Sequence, residues 1–221
     1  MNLSKVSEYF KPDKCRLNIV GCGSVGSALA VMLARCGVTK MTLWDFDTVE
    51  AKNVANQAFS GVDIGRPKVE ALRDILIGIN PDIEKDLKLQ PKGWHGEVMS
   101  GYIFLAVDSI EIRREIVEKH MRNAYVKAVF DFRTGLTDAQ HFAADWSNLE
   151  QKKNLLETMQ FSHEEAVADT PVSACGVTLG VVTTVLAICT LGVNNYIHFI
   201  NGQDIKTMVL FDGDTFELDA F

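Results

Sequence analysis

The first 132 residues alternate short apolar runs with amphipathic stretches. The apolar runs predict β-strands at Arg16–Val20, Lys40–Trp44, Tyr102–Val107 and Ala124–Phe132, with a further strand at Asp82–Leu89. The stretches between them have helical spacing and predict helices at Ser27–Cys36, Pro67–Ile79 and Ile110–Asn123. Alternation of this kind is typical of a parallel sheet with helices on both faces.

The pattern changes after residue 132. Gln140–Asp145 predicts another strand, and the polar, acidic stretch Ser147–Asp169 predicts a mobile crossover. Thr178–Ile200 predicts one long apolar helix. Two short runs, Met208–Phe211 and Thr215–Leu218, flank an Asp-Gly-Asp turn and predict a terminal hairpin. We therefore expect an α/β fold, a Rossmann-like doubly wound mixed sheet with a parallel N-terminal half and antiparallel C-terminal strands.

Composition limits the classes of function. The 221 residues suffice for one sizeable core, and the net charge of −7 argues against a nucleic-acid partner because phosphate backbones attract basic surfaces. Five cysteines, an odd number without C-x-x-C spacing, argue against a disulfide framework, and we expect no structural zinc.

Two segments bear on location. Met1–Arg16 lacks the apolar stretch of a secretory leader, so we expect a cytoplasmic protein. Gly176–Val193 is long and apolar enough to raise the possibility of a membrane span, but its threonines and glycines favour a buried helix. We therefore expect no membrane association.

A glycine-rich turn, Gly21-Cys22-Gly23-Ser24-Val25-Gly26, joins the first strand to the first helix. In such a turn Gly21 allows the tight bend, Gly23 lets the backbone approach a ligand, and Gly26 lets the helix pack closely on the strand. The N-terminus of the helix that follows then offers free amides to phosphate. The sequence thus predicts one domain over 1–221, with a nucleotide-binding half at about 15–135. The rest, about 136–221, holds the crossover, the long apolar helix and the hairpin.

Polar residues at later strand ends extend this prediction. Asp45 ends the second strand, where a carboxylate can accept hydrogen bonds from ribose hydroxyls; a turn aspartate is the alternative. Lys68 lies in the first turn of a helix, where a bound triphosphate would explain a cation; a solvated surface lysine is the alternative. Asp108 follows a buried strand and is a candidate Mg²⁺ ligand, or else a helix cap. Asp47, Asn53 and Gln57 complete the polar set.

Several of these motifs together resemble the ThiF/MoeB family, which shares its fold with the ubiquitin-activating enzymes. The resemblance covers nearly the whole chain, from the glycine turn to the closing hairpin. The matching segments are Leu43-Trp44-Asp45-Phe46-Asp47-Thr48-Val49, Asn53-x-x-x-Gln57, Gly65-x-Pro67-Lys68-Val69-Glu70, Asn80-Pro81, Asp108-Ser109 and Ala174-Cys175-Gly176-Val177.

The resemblance implies an activity and a partner. Members of the family use MgATP to adenylate the C-terminal carboxylate of a small ubiquitin-fold or sulfur-carrier protein and release pyrophosphate. By this resemblance Asp45 binds ribose, Asn53 and Lys68 bind phosphates, and Asp108 holds magnesium. It also implies a homodimer, and it makes Cys175 a candidate for a thioester or persulfide link, with a buried structural cysteine as the alternative.

The chain also departs from the family pattern. Asn56 stands where the family carries a phosphate-binding arginine, and the N-terminal arm lacks the arginine that family dimers donate to the site. Either another cation substitutes, with Arg66 and Arg133 as candidates, or the chain is a weak or inactive binding subunit. An NAD-dependent oxidoreductase is a third possibility, but it leaves Asn53, Gln57 and Lys68 unexplained.

Overall fold

A computed structural model describes residues 1–5, 7–161 and 180–221, and within these residues eight strands form one sheet. The sheet order is β3-β2-β1-β4-β5-β6-β7-β8. The first five strands pair in parallel, and β6, β7 and β8 continue the sheet antiparallel. The strands are β1 (Leu17–Val20), β2 (Met41–Trp44), β3 (Lys88–Gln90), β4 (Gly101–Leu105), β5 (Val126–Thr134), β6 (Asp138–Asp145), β7 (Met208–Asp212) and β8 (Glu217–Ala220).

Helices cover both faces of the sheet, which confirms the doubly wound mixed architecture expected from the sequence. Their apolar residues divide into two core clusters, one with α1, α2 and α5 and the other with α3 and α4. The helices are α1 (Ser24–Arg35), α2 (Lys68–Ile79), α3 (Ile110–His120), α4 (Leu149–Glu157) and α5 (Val182–Ile200). Short 3₁₀ turns lie at Ala51–Ala55, Gly61–Asp63 and Pro81–Lys85.

Two predicted elements were wrong. The strand expected at Asp82–Leu89 is a 3₁₀ turn, Pro81–Lys85, followed by the short strand β3. Asn80 caps this turn by accepting a hydrogen bond from the Asp82 amide. The first part of the expected mobile crossover is the helix α4, which Asn148 caps at its N-terminus. In both places a capping asparagine favours a helical turn over an extended or irregular chain.

The long apolar helix α5 packs on α1, β5 and β6. Its buried residues, among them Val185, Ile188 and Tyr196, belong to the larger core cluster. Gly192 permits the close approach to the sheet, since a Cβ there would meet the Phe132 ring at 2.1 Å. Among the described residues α5 alone is long and apolar enough to cross a membrane. Half of its apolar stretch is buried within the fold.

Candidate functional site at the switch point of the sheet

The candidate site lies at the point between β1 and β4 where the order of the strands in the sheet changes direction. The strands β1 and β4 are neighbours, yet the chain leaves β1 for β2 on one side and leaves β4 for β5 on the other. Loops after such strands diverge and leave a crevice at their carboxyl ends, where ligands of open α/β sheets bind. The glycine turn follows β1 and Asp108 follows β4, so the fold brings both to this crevice.

Each glycine of the turn has a distinct steric environment. Gly21 adopts φ +92°, and a Cβ there would lie 2.6 Å from the Ala106 carbonyl oxygen of the loop after β4. A Cβ on Gly26 would lie 1.8 Å from the Gly21 carbonyl oxygen, so glycine is required for α1 to sit this close to the turn. A Cβ on Gly23, by contrast, would meet nothing within 4 Å. Packing therefore explains two of the glycines, and Gly23 faces open space.

The N-terminus of α1 is available for an anion. Gly23 is its N-cap, no side chain caps the helix, and its first turn contains no acidic residue. The Ser27 amide bonds to the Gly23 carbonyl, while the preceding amides, from Ser24 onward, belong to the unpaired first turn. Unpaired amides and the helix dipole together favour a phosphate at this position.

Asp45 braces the glycine turn against the end of β2. One carboxylate oxygen accepts from the Cys22 amide at 2.6 Å, and the other accepts from the Asp47 amide at 2.8 Å. Burial raises the pKa of Asp45, while these two amides and the Lys68 ammonium act in the opposite direction. The sequence analysis missed this bracing role. The ribose role of Asp45 stays a prediction.

Lys68 forms an ion pair with Asp47. The chain after β2 hydrogen bonds to the start of α2: the Val49 amide donates to Arg66 and the Lys68 amide donates to Asp47. This pairing places the Lys68 ammonium 2.7 Å from the Asp47 carboxylate. The Lys68 side chain is 9% exposed and that of Asp47 is 50% exposed. Asp47 therefore offsets the unfavourable helix dipole at Lys68 without a ligand. The alternative of a solvated surface lysine is wrong, because the side chain is buried.

The segment between β2 and α2 carries the remaining predicted polar residues. Asn53 is buried, and its side-chain oxygen accepts from the Glu50 amide at 2.8 Å, which leaves its side-chain nitrogen as the group suited to an anion. The side-chain oxygen of Gln57 is buried without a hydrogen-bond partner among the described residues. The Asn56 side-chain amide lies beside Gly180: a Cβ added to Gly180 would be 3.4 Å from the Asn56 side-chain nitrogen.

Asp108 is exposed at the end of the loop after β4, and no residue in the described part of the chain forms a hydrogen bond or ion pair with its carboxylate. The helix α3 is capped by Ser109 instead, which accepts from the Ile112 amide. The capping alternative for Asp108 is therefore wrong. Its carboxylate stays available for a ligand at the crevice.

The two arginines considered as substitutes for the missing one already have protein partners. Arg66 pairs with Asp63 and Asp74. Each guanidinium nitrogen of Arg133 donates to a protein acceptor, either the Asp131 carboxylate or Thr158. A phosphate would have to displace these partners to use either cation.

Two of the cysteines are buried structural residues, and the candidate catalytic cysteine cannot be placed. Cys175 lies outside the described residues, so its predicted role stays a prediction. Cys22 is fully buried inside the glycine turn, and burial raises the pKa of its thiol well above the usual value. Burial likewise raises the pKa of Cys189 to about 12, which makes both thiols poor nucleophiles.

A buried charged cluster beside the crevice was missed from the sequence. Asp131 on β5 is fully buried and pairs with Arg113 of α3 and with Arg133. Arg113 also donates to the backbone carbonyls of Leu105 and Val107. An acidic residue inside the apolar run Ala128–Phe132 was the available signal, since a buried carboxylate requires a partner.

The residues present fit MgATP. The open face at Gly23, the uncapped helix N-terminus and the buried Lys68 ammonium offer donors and positive charge to phosphates. Nowhere in the described ranges do three or more His, Cys, Asp or Glu side chains cluster to hold a metal. A cation at Asp108 would therefore need phosphate oxygens, and Mg²⁺ is bound in that way at many nucleotide sites.

Fold and site together define a class: a Rossmann-like α/β protein with a glycine turn and a helix N-terminus at the switch point of its sheet. Within that class the chain belongs to the ThiF family, whose model matches residues 5–220.

Curated relatives are similar over a shorter stretch. Ubiquitin-like modifier-activating enzyme 5 of Caenorhabditis elegans is 43% identical over 79 residues, which are 36% of this chain and 19% of the relative. The Rattus norvegicus enzyme of the same name is 44% identical over 78 residues, 35% of this chain and 19% of the relative. The matched stretch therefore spans about a fifth of the relatives' length.

Solved structures share the fold over almost the whole chain. E. coli MccB with ATP superposes with a TM-score of 0.75 at 16% identity and covers 98% of this chain and 65% of that one. PaaA superposes with a TM-score of 0.72 at 16% identity, with 94% and 64% covered. At such low identity this similarity shows the common fold alone.

Proposed function

We propose that this protein is an ATP-dependent adenylyltransferase that activates the C-terminal carboxylate of a small ubiquitin-fold or sulfur-carrier protein as an acyl-adenylate. The observation that carries the proposal is the convergence of the glycine turn, Asp45, Lys68 and Asp108 on one crevice. Membership of the ThiF family supports it, as do relatives named for ubiquitin-like modifier activation and a structural neighbour solved with ATP.

The reaction is a displacement at the α-phosphorus. A carboxylate oxygen of the substrate protein forms the new bond to phosphorus, the bond to the bridging oxygen breaks, and pyrophosphate leaves with the electron pair. Attack by an anion on a polyanion meets strong repulsion, so catalysis depends on positive charge and positioning. The α1 N-terminus and Lys68 supply that charge from the protein, and Asp45 positions the ribose.

Asp108 would hold Mg²⁺ together with phosphate oxygens, and the bound cation would supply further charge neutralisation on the phosphates. In this proposal the protein acts in the cytoplasm, and it forms a homodimer, as the family resemblance implies. Asn53 and Gln57 contribute side-chain amides, and Asn56 stands in place of the arginine.

ATP–pyrophosphate exchange tests the proposal. Purified protein is incubated with MgATP, labelled pyrophosphate and a panel of small ubiquitin-fold proteins that end in Gly-Gly. We expect label to enter ATP with at least one of them, and the same carrier without its two C-terminal glycines serves as the matched control. Equal exchange with the truncated carrier would contradict activation of the C-terminus.

A preliminary binding measurement separates nucleotide classes. Thermal shift with MgATP should raise the melting temperature, whereas NADH should leave it unchanged. A shift with NADH alone would favour the oxidoreductase alternative and would refute the adenylyltransferase proposal.

A second candidate function is a nucleotide-binding subunit with weak or absent catalysis. Asn56 in place of an arginine favours it, as does the engagement of Arg66 and Arg133 with protein partners. Arginines that stabilise phosphoryl-transfer charge can change the rate by about 10³–10⁵. Binding of MgATP without exchange on any carrier would support this candidate, and Asn56→Arg would then be expected to raise exchange.

A further inference from the structure

The inference concerns the buried charged cluster and deepens the proposed function, on which it rests. We propose that Arg113 is a positioning residue: it clamps the loop after β4 and thereby sets the position of Asp108 for a divalent cation. Asp131 holds Arg113 in the orientation that this clamp requires.

The contacts of Arg113 converge on one short loop. One guanidinium nitrogen donates to the Leu105 carbonyl and to the Asp131 carboxylate, and a second donates to the Val107 carbonyl. Leu105 is the last residue of β4, and Asp108 directly follows Val107. Arg113 therefore fixes the backbone on which the Asp108 side chain is mounted.

The other side of the same loop is blocked by the glycine turn. A Cβ on Gly21 would lie 2.6 Å from the Ala106 carbonyl oxygen and 2.8 Å from the Val107 nitrogen. The loop is thus confined between Gly21 and Arg113. Confinement from two sides leaves Asp108 attached to a rigid segment although its carboxylate is exposed.

Asp131 accounts for the orientation of Arg113. It pairs with Leu105 across the parallel strands β4 and β5, so its carboxylate lies beside the end of β4. It is fully buried, and Arg113 is nearly so. A buried carboxylate demands hydrogen-bonded cations, and the planar guanidinium satisfies it while its remaining donors reach the loop carbonyls.

A purely structural role is the competing explanation, because buried ion pairs also occur for packing. The cluster contains its own control for that alternative. Arg133 bonds to the same Asp131 carboxylate, but its other hydrogen bonds go to Thr158 at the end of α4 and none goes to the loop after β4. Loss of either arginine perturbs the cluster, but only the loss of Arg113 removes hydrogen bonds to the loop that carries Asp108.

The test measures metal binding rather than turnover. Mn²⁺ is titrated into the complex of the full chain with an α,β-methylene ATP analogue and followed by electron paramagnetic resonance, and analogue binding without metal is measured by calorimetry. The variants are Arg113→Lys and Arg133→Lys, with Asp108→Asn as the ligand-loss reference. Lysine keeps the charge but lacks the planar set of donors that spans three acceptors.

We expect Arg113→Lys to weaken Mn²⁺ binding about 10-fold or more, as loss of supporting hydrogen bonds around a metal ligand commonly does. Metal-free binding of the analogue should change less than about 2-fold, and Arg133→Lys should retain wild-type Mn²⁺ affinity. Equal Mn²⁺ affinity in Arg113→Lys and wild type, or an equal loss in both lysine variants, would overturn the inference.

Two further outcomes are distinguishable. If the wild-type protein binds no nucleotide, the proposed function fails and this inference fails with it. If Arg113→Lys melts too early to measure, Asp131→Asn takes its place, since it removes the charge that orients Arg113. In that variant an unchanged Mn²⁺ affinity would overturn the inference.

Discussion

Alanine substitutions at two glycines of the same turn should have opposite consequences. At Gly26 a Cβ would lie 1.8 Å from the Gly21 carbonyl oxygen, well inside the 3.0 Å that real Cβ contacts respect. Both atoms are fixed to backbone, so α1 must shift by about 1 Å, and overpacking of this kind costs about 3 kcal/mol. Alanine gains about 1 kcal/mol of helix propensity over glycine. The net expectation for Gly26→Ala is a loss of about 2 kcal/mol of unfolding free energy.

Gly23→Ala should leave the fold nearly intact. Its Cβ would meet nothing within 4 Å, so the cost is limited to the poorer N-cap that alanine makes, about 1 kcal/mol. The same Cβ would project into the space where we place the phosphates. We therefore expect MgATP affinity to fall at least about 10-fold because the backbone can no longer approach the ligand.

Urea unfolding and calorimetric titration with MgATP measure the two effects separately. We expect Gly26→Ala to lose about 2 kcal/mol of unfolding free energy, and Gly23→Ala to lose about half as much while its MgATP affinity falls. Wild-type affinity in Gly23→Ala would refute the placement of the phosphates. Wild-type stability in Gly26→Ala would refute the packing argument.

Three further predictions test the site and the core. Lys68→Ala should reduce MgATP affinity by at least about 10-fold in calorimetry, while its loss of unfolding free energy stays near 1 kcal/mol because its partner is half-exposed. Burial lowers the pKa of His141 to about 4, so below pH 6.5 the unfolded state takes up a proton that the folded state does not. The His141 contribution to unfolding free energy should be fully present above pH 6.5 and fall by about 3 kcal/mol between pH 6.5 and 4, measured by urea unfolding. His141→Gln should remove this part of the pH dependence. Gly192→Ala should lower the melting temperature because its Cβ would lie 2.1 Å from the Phe132 ring. Gly78→Ala, in open space on α2, should raise it slightly through better helix propensity. Equal melting temperatures in the two variants would contradict both expectations.

The order of elements in the parallel half could be predicted from sequence because burial and the spacing of apolar residues indicate the same elements there. Strands covered on both faces are buried throughout and mostly apolar, as β1, β2 and β4 are, and the helices between them carry an apolar stripe. Local preference and tertiary environment therefore point to the same structure in this half of the chain. Apart from β3, predicted and observed boundaries in this half differ by at most three residues at any strand or helix end.

The errors arose where a local cap outweighed the hydrophobic pattern. Around Asp82–Leu89 the pattern is weak, and the Asn80-Pro81 pair starts a 3₁₀ turn that leaves only three residues for β3. In the acidic crossover Asn148 accepts from two amides and starts α4, whose inner face needs only Leu155 buried. Composition suggested a mobile segment, because a helix with so small an apolar face resembles a solvated loop in sequence.

The candidate site was accessible from sequence to the extent that its residues follow strands. Asp45 and Asp108 were predictable as strand-end carboxylates, because parallel strands end at one edge. The Arg113–Asp131 pair was not, since it joins a helix to a strand 18 residues away through partners that no periodicity records. The ion pair of Lys68 with Asp47 likewise depends on the backbone pairing of two loops.

That ion pair bears on how the site accepts its ligand. Lys68 is nearly buried, so its ammonium requires an anionic partner whether or not a nucleotide is present. Asp47 supplies one, but it is half-exposed, so water and salt screen the attraction and make the pair easy to replace. A triphosphate carries more negative charge than one carboxylate and is also attracted by the α1 N-terminus. In the proposed function, Lys68 is therefore held in place before ATP binds by a partner weak enough for the phosphates to displace.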